Sequence, residues 1–265
     1  MINNKTLKVS IFVSILAVFG AFCQAQETKT PEELFVAGNS YYEKDEYTKA
    51  ISEYNKILAQ GYESGPVYYN IADAYFKSGK LGKAILNYKR AKRLMPRDAD
   101  LAANYKFAMA KVQAKITPNK GIWAWSPLRI FSENFTINEL SLLASGMYVV
   151  IVFLLFIAAI RSQRSGYLKL AIMLISICFV ITSAVLWRKA SRGRSGGVVV
   201  VSRAEALFGP FDSATKFFTL HEGVSVTILK SKADWYKVRR TDGKVGWVKK
   251  NAIERICPEK MTMDI

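Results

Sequence analysis

The side chains that ordinarily do chemistry are thinly spread in this chain. Its single histidine, His221, lies in a polar Leu-His-Glu-Gly stretch that reads as a solvated turn. Its three cysteines, Cys23, Cys178 and Cys257, fall in three different segments, which leaves no pair for an intradomain disulfide and no cluster for a Cys-based metal site. The neighbouring carboxylates Glu32/Glu33 and Asp45/Glu46 would need surroundings that push their pKa values apart before they could share acid and base roles, and both pairs read as solvated helix faces. No Gly-rich phosphate loop, GxSxG or HExxH is present in the sequence. The expectation is no catalytic residue, no metal ligand and no cofactor, which leaves binding as the source of function.

The elements that would present a binding surface are separated by three apolar runs. Lys5 and Lys8 precede the apolar stretch Val9 to Phe22 and then Cys23-Gln24-Ala25. That order describes an export signal over residues 1–25, cut after Ala25; Phe22 is too bulky before Cys23 to favour a lipoprotein signal. Residues 138–160 and 167–187 each reach the length of about 20 residues that a membrane span requires, and only Arg161–Gly166 separates them. They are read as a transmembrane hairpin, with Tyr167 and Trp187 at its interfaces. Two spans put residues 27–137 and 188–265 on one side, and the export signal makes that side extracytoplasmic: periplasmic for both modules of a multi-pass protein of a bacterial inner membrane. The basic residues oppose this orientation, because Arg161, Arg164 and Lys169 would lie inside against Lys120, Arg129, Arg188, Lys189, Arg192 and Arg194 outside. The signal is taken to dominate.

The chain carries a net charge of +17, and its largest share falls in residues 119–197, with nine basic residues against two acidic ones. Charge placed there faces lipid headgroups. Neither soluble segment has the dense basic stripe of a nucleic-acid binder, so nucleic acid is excluded as a partner. Residues 117–137 hold Trp123, Trp125, Phe131 and Phe135 and read as an aromatic linker in the membrane interface, while 188–197 read as a flexible basic linker.

Residues 31–64 and 65–98 align at an offset of 34, which sets Gly38 on Ala72, Tyr41 on Tyr75, Ala50 on Ala84 and Tyr54 on Tyr88. Thr30-Pro31-Glu32-Glu33 is a capping box with proline at the first helical position. Helices are expected at about 31–43, 47–60, 65–78, 81–94 and 98–115, the last as a capping helix. This pattern, over residues 30–116, resembles the tetratricopeptide (TPR) repeat, in which interlocking helix pairs bind extended peptides along the groove of each first helix. The resemblance places Phe35, Asn39, Tyr42, Tyr69, Asn70, Asp73 and Phe76 in that groove. Phe35 stands where a carboxylate-clamp lysine would be, which points to an aromatic groove for a hydrophobic segment.

From residue 198 the pattern turns to period two. Val198–Ser202, Lys216–Leu220, Val224–Lys230, Trp235–Arg240 and Val245–Val248 read as strands, with Asp242-Gly243 as a hairpin turn. Five or six short strands imply a small barrel. The order Leu220-His221-Glu222-Gly223, Asp234-Trp235-Tyr236-Lys237-Val238, Asp242-Gly243-Lys244 and Gly246-Trp247-Val248 resembles the bacterial SH3 (SH3b) domain over 198–256. That resemblance makes Trp235, Tyr236 and Trp247 the candidate ligand face.

The fold class expected is thus a multidomain membrane protein with α-helical TPR hairpin repeats, a two-helix transmembrane hairpin and a small all-β SH3-like barrel. The same order of parts resembles the BatE-type proteins of the Bacteroides aerotolerance (Bat) system. It implies an adaptor or scaffold in an envelope stress or oxygen-tolerance complex, with membrane proteins carrying von Willebrand factor A domains and a MoxR-type ATPase as partners. Cell-wall peptide, sensed through the SH3 domain, is the alternative ligand, and membrane lipid is a further contact.

Overall fold

The computed structural model describes residues 29–112, 132–160 and 166–257. The expected export signal and the linker tryptophans Trp123 and Trp125 lie outside them.

Helices α1 (Pro31–Glu43), α2 (Tyr47–Ala59), α3 (Gly65–Lys77), α4 (Leu81–Leu94) and α5 (Ala99–Ala110) form a run of antiparallel pairs. The capping box is formed at α1: Thr30 Oγ1 accepts from Glu33 N at 3.2 Å, and Thr30 N donates to Glu33 Oε2 at 2.9 Å. Where backbones approach, the small residue is obligatory, since a Cβ on Gly38 would lie 2.4 Å from the Tyr54 ring. Two apolar clusters fill the stack. One is built on Leu34, Tyr54 and Ile71, and the other on Tyr68, Leu86, Tyr88 and Leu101.

Helices α6 (Ile137–Ile160) and α7 (Gly166–Ser195) pack on each other, and Ile137–Ile160 and Gly166–Ser191 are long and apolar enough to cross a membrane. Large side chains on both stand exposed, among them Phe153, Phe156, Met173 and Val180. A second capping box starts α6, with Glu139 N donating to Thr136 Oγ1 at 3.1 Å and Thr136 N donating to Glu139 Oε2 at 2.7 Å. The flexible basic linker expected at 188–197 is not found. Helix α7 continues through Ser195, and β1 begins at Gly196. Arg188, Lys189 and Ala190 are good helix formers, and extending an existing helix incurs no nucleation cost.

Seven antiparallel strands follow: β1 (Gly196–Val199), β2 (Arg203–Leu207), β3 (Lys216–His221), β4 (Ser225–Lys232), β5 (Trp235–Arg240), β6 (Val245–Lys249) and β7 (Ile253–Arg255). Their pairing order is β3-β2-β6-β5-β4-β1-β7, an open order rather than a closed ring. Inward residues of this sheet, including Val199, Ala206, Leu220, Val226, Val238, Val248 and Ile253, form one core. Asp242-Gly243 makes the expected turn, with Gly243 at φ +95° and Arg240 bidentate on Asp242 at 3.0 and 2.6 Å.

The β domain is not a separate bead. It packs on α4. Val198, Val200 and Ile256 join the core around Leu86 and Tyr88, and Val112 touches both cores. Gly82 N donates to Glu222 Oε1 at 2.7 Å, Lys89 Nζ donates to Ser225 Oγ, and Arg90 donates to the carbonyls of Ile256 at 3.1 Å and Arg255 at 3.0 Å.

Candidate partner-binding face

Each first helix of the repeat domain contributes one face to a shared surface, and all seven groove residues expected from sequence lie there half-buried: Phe35, Asn39, Tyr42, Tyr69, Asn70, Asp73 and Phe76. The arrangement follows from the 34-residue period. Tyr54 donates its hydroxyl to Asn39 Oδ1 at 2.7 Å, and Asn70 Nδ2 donates to the same oxygen at 3.0 Å. Thirty-four residues on, Tyr88 donates to an Asp73 carboxylate oxygen, which Asn104 Nδ2 also approaches at 3.5 Å. Asn104 further donates to Tyr69 Oη at 2.7 Å. The same hydrogen-bonded triad, one phenol from a second helix and two polar groups from successive first helices, is thus built twice.

The aromatic packing repeats as well. Phe35 lies 5.8 Å from Tyr54 and Tyr69 lies 6.1 Å from Tyr88, ring centre to ring centre. Phe76 meets Phe107 at 5.6 Å, and Lys111 Nζ stands 4.9 Å from the Phe76 ring. Helix α5 therefore carries first-helix chemistry through Asn104 and Phe107, beyond the capping role expected for it. The offset of 34 from Asn70 to Asn104 was the available signal.

Charge at this face centres on Asp73. Burial pushes its carboxyl up from the ordinary value, while hydrogen bonds from Tyr88, Asn104 and Tyr69 pull it down. Burial also pushes the Tyr54 and Tyr69 phenols up to about 12, so both stay protonated donors at neutral pH. Asn39 Oδ1 is taken up by Tyr54 and Asn70.

On the β domain the three expected aromatics do not form one face. Strand parity sends adjacent residues to opposite sides, so Trp235 and Tyr236 diverge. Trp235 is only 8% exposed, Tyr236 packs toward the core beneath the Lys250 and Arg255 cations at 5.4 and 5.2 Å, and Trp247 is half-buried under Lys237 at 5.9 Å. The exposed aromatic cluster lies elsewhere, at Phe208 and Phe217 with ring centres 4.5 Å apart and at Phe211 nearby. The Phe208-Gly209-Pro210-Phe211 sequence was its only advance sign. Among the described residues, no group of three or more His, Cys, Asp or Glu could hold a metal ion.

Two known families match the chain. The family described as Tetratricopeptide repeat matches residues 65–98, the helix pair α3–α4 that carries Asp73 and Tyr88. The family described as Bacterial SH3 domain matches residues 209–254, from the β2–β3 connection into β7. No curated protein matches the chain. Both families are consistent with protein-binding or peptidoglycan-related adaptor roles.

Helix α4 links the two matches by using opposite faces. Ala84, Tyr88 and Ala91 belong to the repeat core, whereas Gly82, Lys89 and Arg90 carry the contacts to the β domain, and Ile85 lies against Gly223. The β domain thereby occupies the back of the second repeat, away from the first-helix face.

Proposed function

We propose that the chain is a non-enzymatic, membrane-anchored adaptor whose first-helix face receives an extended segment of a partner protein. The observation that carries this reading is the placement of the β domain on the far side of α4, away from the aromatic-polar face of Phe35, Asn39, Tyr69, Asn70, Asp73 and Phe76. Helices α6 and α7 act as the anchor and span a bacterial inner membrane, with both modules on the periplasmic side. The order of parts favours a place in a Bat-type envelope stress or oxygen-tolerance complex, with membrane proteins bearing von Willebrand factor A domains as partners.

The test uses the full chain purified from membranes with its partners. Tyr69→Ala and Phe76→Ala, both at half-buried positions, are expected to lose co-purifying membrane partners while the chain stays folded. Retention of every partner by both variants overturns the reading.

A second reading rests on the exposed Phe208, Phe211 and Phe217 cluster, which suits the sugar and peptide faces of cell wall. There the β domain is a cell-wall sensor, and Phe217→Ala abolishes sedimentation with purified sacculi. Wild-type protein that does not sediment rules it out.

A further inference from the structure

The β4–β5 hairpin points back toward the level at which the chain enters its apolar helices. Helix α7 passes into β1 with no loop between them, and β1 pairs antiparallel with β4, Gly196 opposite Thr227. Strand β4 therefore descends beside the end of α7, and the two elements pack together. Helix α4 gives the same direction independently. Its Gly82 meets Glu222 near Val199, and its Arg90 meets Ile256, next to the Arg255 that pairs with Gly197. It thus runs antiparallel to β1, and beyond its end Arg97 pairs with Glu139 in the first turn of α6. Lys189 on α7 donates to the Ser132 carbonyl at 2.6 Å, just before α6.

Arg97, Glu139 and Lys189 thus mark one level, and the reach of each element can be compared. From Lys189 to Gly196 the helix rises about 10 Å at roughly 1.5 Å per residue. From Arg239, opposite Thr227, to Trp235, opposite Lys232, β5 covers about 13 Å at roughly 3.3 Å per residue. The hairpin tip reaches back to the level of Lys189.

The chemistry of that hairpin matches its position. Lys230, Lys237 and Trp247 lie opposite one another across β4, β5 and β6, away from the core that Val238 and Val248 enter. Lys230 and Lys232 are exposed, and Leu229, the extra residue of a bulge between Ile228 and Lys230, is 44% exposed. Two carboxylates lie close by: Asp234 is exposed in the turn, and Asp212 pairs with Lys249 at 2.8 Å.

We propose that the β4–β5 hairpin binds the anionic headgroups of the bilayer that α6 and α7 cross, with Lys230, Lys232 and Lys237 on lipid phosphates and Trp247 with Leu229 at interfacial depth. This rests on the reading of α6 and α7 as spans. Lysines near an anionic surface are attracted within a Debye length of it, and an indole prefers the headgroup zone. The contact would act as a third foot beside the two helices and fix the tilt of the first-helix face over the membrane.

The test places a nitroxide on Ser231→Cys, at the exposed tip, in the full chain with Cys23→Ser, Cys178→Ser and Cys257→Ser, reconstituted in vesicles. In vesicles containing phosphatidylglycerol at low salt, the label is expected to be shielded from a water-soluble relaxation agent. That shielding should be lost in pure phosphatidylcholine, at 1 M salt where the Debye length falls to about 3 Å, and in the pair Lys230→Glu with Lys232→Glu. A second label on Leu174→Cys, mid-way along α7, reports whether the helices span. A water-accessible Ser231→Cys beside a lipid-buried Leu174→Cys overturns the hairpin contact alone, whereas a water-accessible Leu174→Cys overturns the spanning reading and the contact with it. Shielding that persists in phosphatidylcholine overturns the assignment to anionic headgroups.

Discussion

The carboxylate of Glu222 accepts the backbone N–H of Gly82 at 2.7 Å, joining the turn before β4 to the first turn of α4 across 140 residues of sequence. The first N–H groups of a helix have no partner inside it, and the residue before α4, Lys80, makes no side-chain cap. Glu222 supplies the cap from another domain and places a negative charge where the helix dipole favours one.

Loss of that cap should loosen the joined repeat and β domains. Glu222→Ala is expected to cost about 1–2 kcal/mol, in the range of a lost cap, read as a lower urea midpoint for the full chain in detergent. Gly82→Ala should cost more, because its Cβ would lie 2.5 Å from the Val199 carbonyl oxygen, a backbone atom that cannot swing aside.

Lys89 makes the same interface sensitive to pH. Burial, reinforced by Lys92, lowers its pKa from 10.5 to about 8. Below about pH 8 the lysine is charged in the folded and unfolded states alike, and its full desolvation cost is present. As pH rises from about 8 toward 10.5 the folded state gives up its proton first, so stability rises with pH. Thermal unfolding followed between about pH 7.5 and pH 9, where a free phenol is still mostly protonated, should show this rise in the wild type. Lys89→Met is expected to flatten it and to be the more stable protein at pH 7. An unchanged slope in the variant would mean that Lys89 is not buried.

The two triads of the first-helix face are expected to be coupled internally. Tyr88→Phe leaves the Asp73 oxygen to Asn104, and Tyr54→Phe leaves Asn39 Oδ1 to Asn70, each at about 0.5–1.5 kcal/mol for one lost hydrogen bond. A double-mutant cycle of Tyr88→Phe with Asp73→Asn should give a coupling energy of about 0.5–3 kcal/mol, and the same cycle across triads, Tyr54→Phe with Asp73→Asn, should be closer to additive.

Glycines separate two kinds of constraint. Gly79 ends α3 at φ +77° with open space around it, so Gly79→Ala should cost only the backbone strain of that conformation, about 1 kcal/mol. Gly38→Ala meets the Tyr54 ring at 2.4 Å and should cost about 1–3 kcal/mol through overpacking, with the Tyr54–Asn39 hydrogen bond disturbed as well. Denaturation midpoints compare the two directly.

The repeat helices were legible because their signals are local and periodic. The capping box at Thr30 and Gly79 after α3 act within about one turn, and the 34-residue offset of Tyr54 and Tyr88 repeats over one helix pair. Strand β2 was not legible, since Arg203-Ala-Glu-Ala-Leu is made of helix formers, and pairing with β3 along its length overrides that preference. The docking of the β domain on α4 was hidden for a different reason. Ile85, Lys89 and Arg90 look like the outer face of any second helix, and Glu222 like any turn acid, until the fold brings them together. The SH3-like resemblance groups Tyr236 with Trp235, and strand parity separates them.

Cys257 reports whether both modules stand together outside the cytoplasm. That residue follows Ile256, whose carbonyl accepts from Arg90 of the repeat domain, so a reagent that reaches it senses the side of both modules at once. An impermeant maleimide applied to intact spheroplasts, with Cys178→Ser and Cys23→Ser in the chain, is expected to label Cys257 as fully as it does in lysed cells. Labelling that appears only after lysis would contradict the extracytoplasmic placement and the adaptor role built on it.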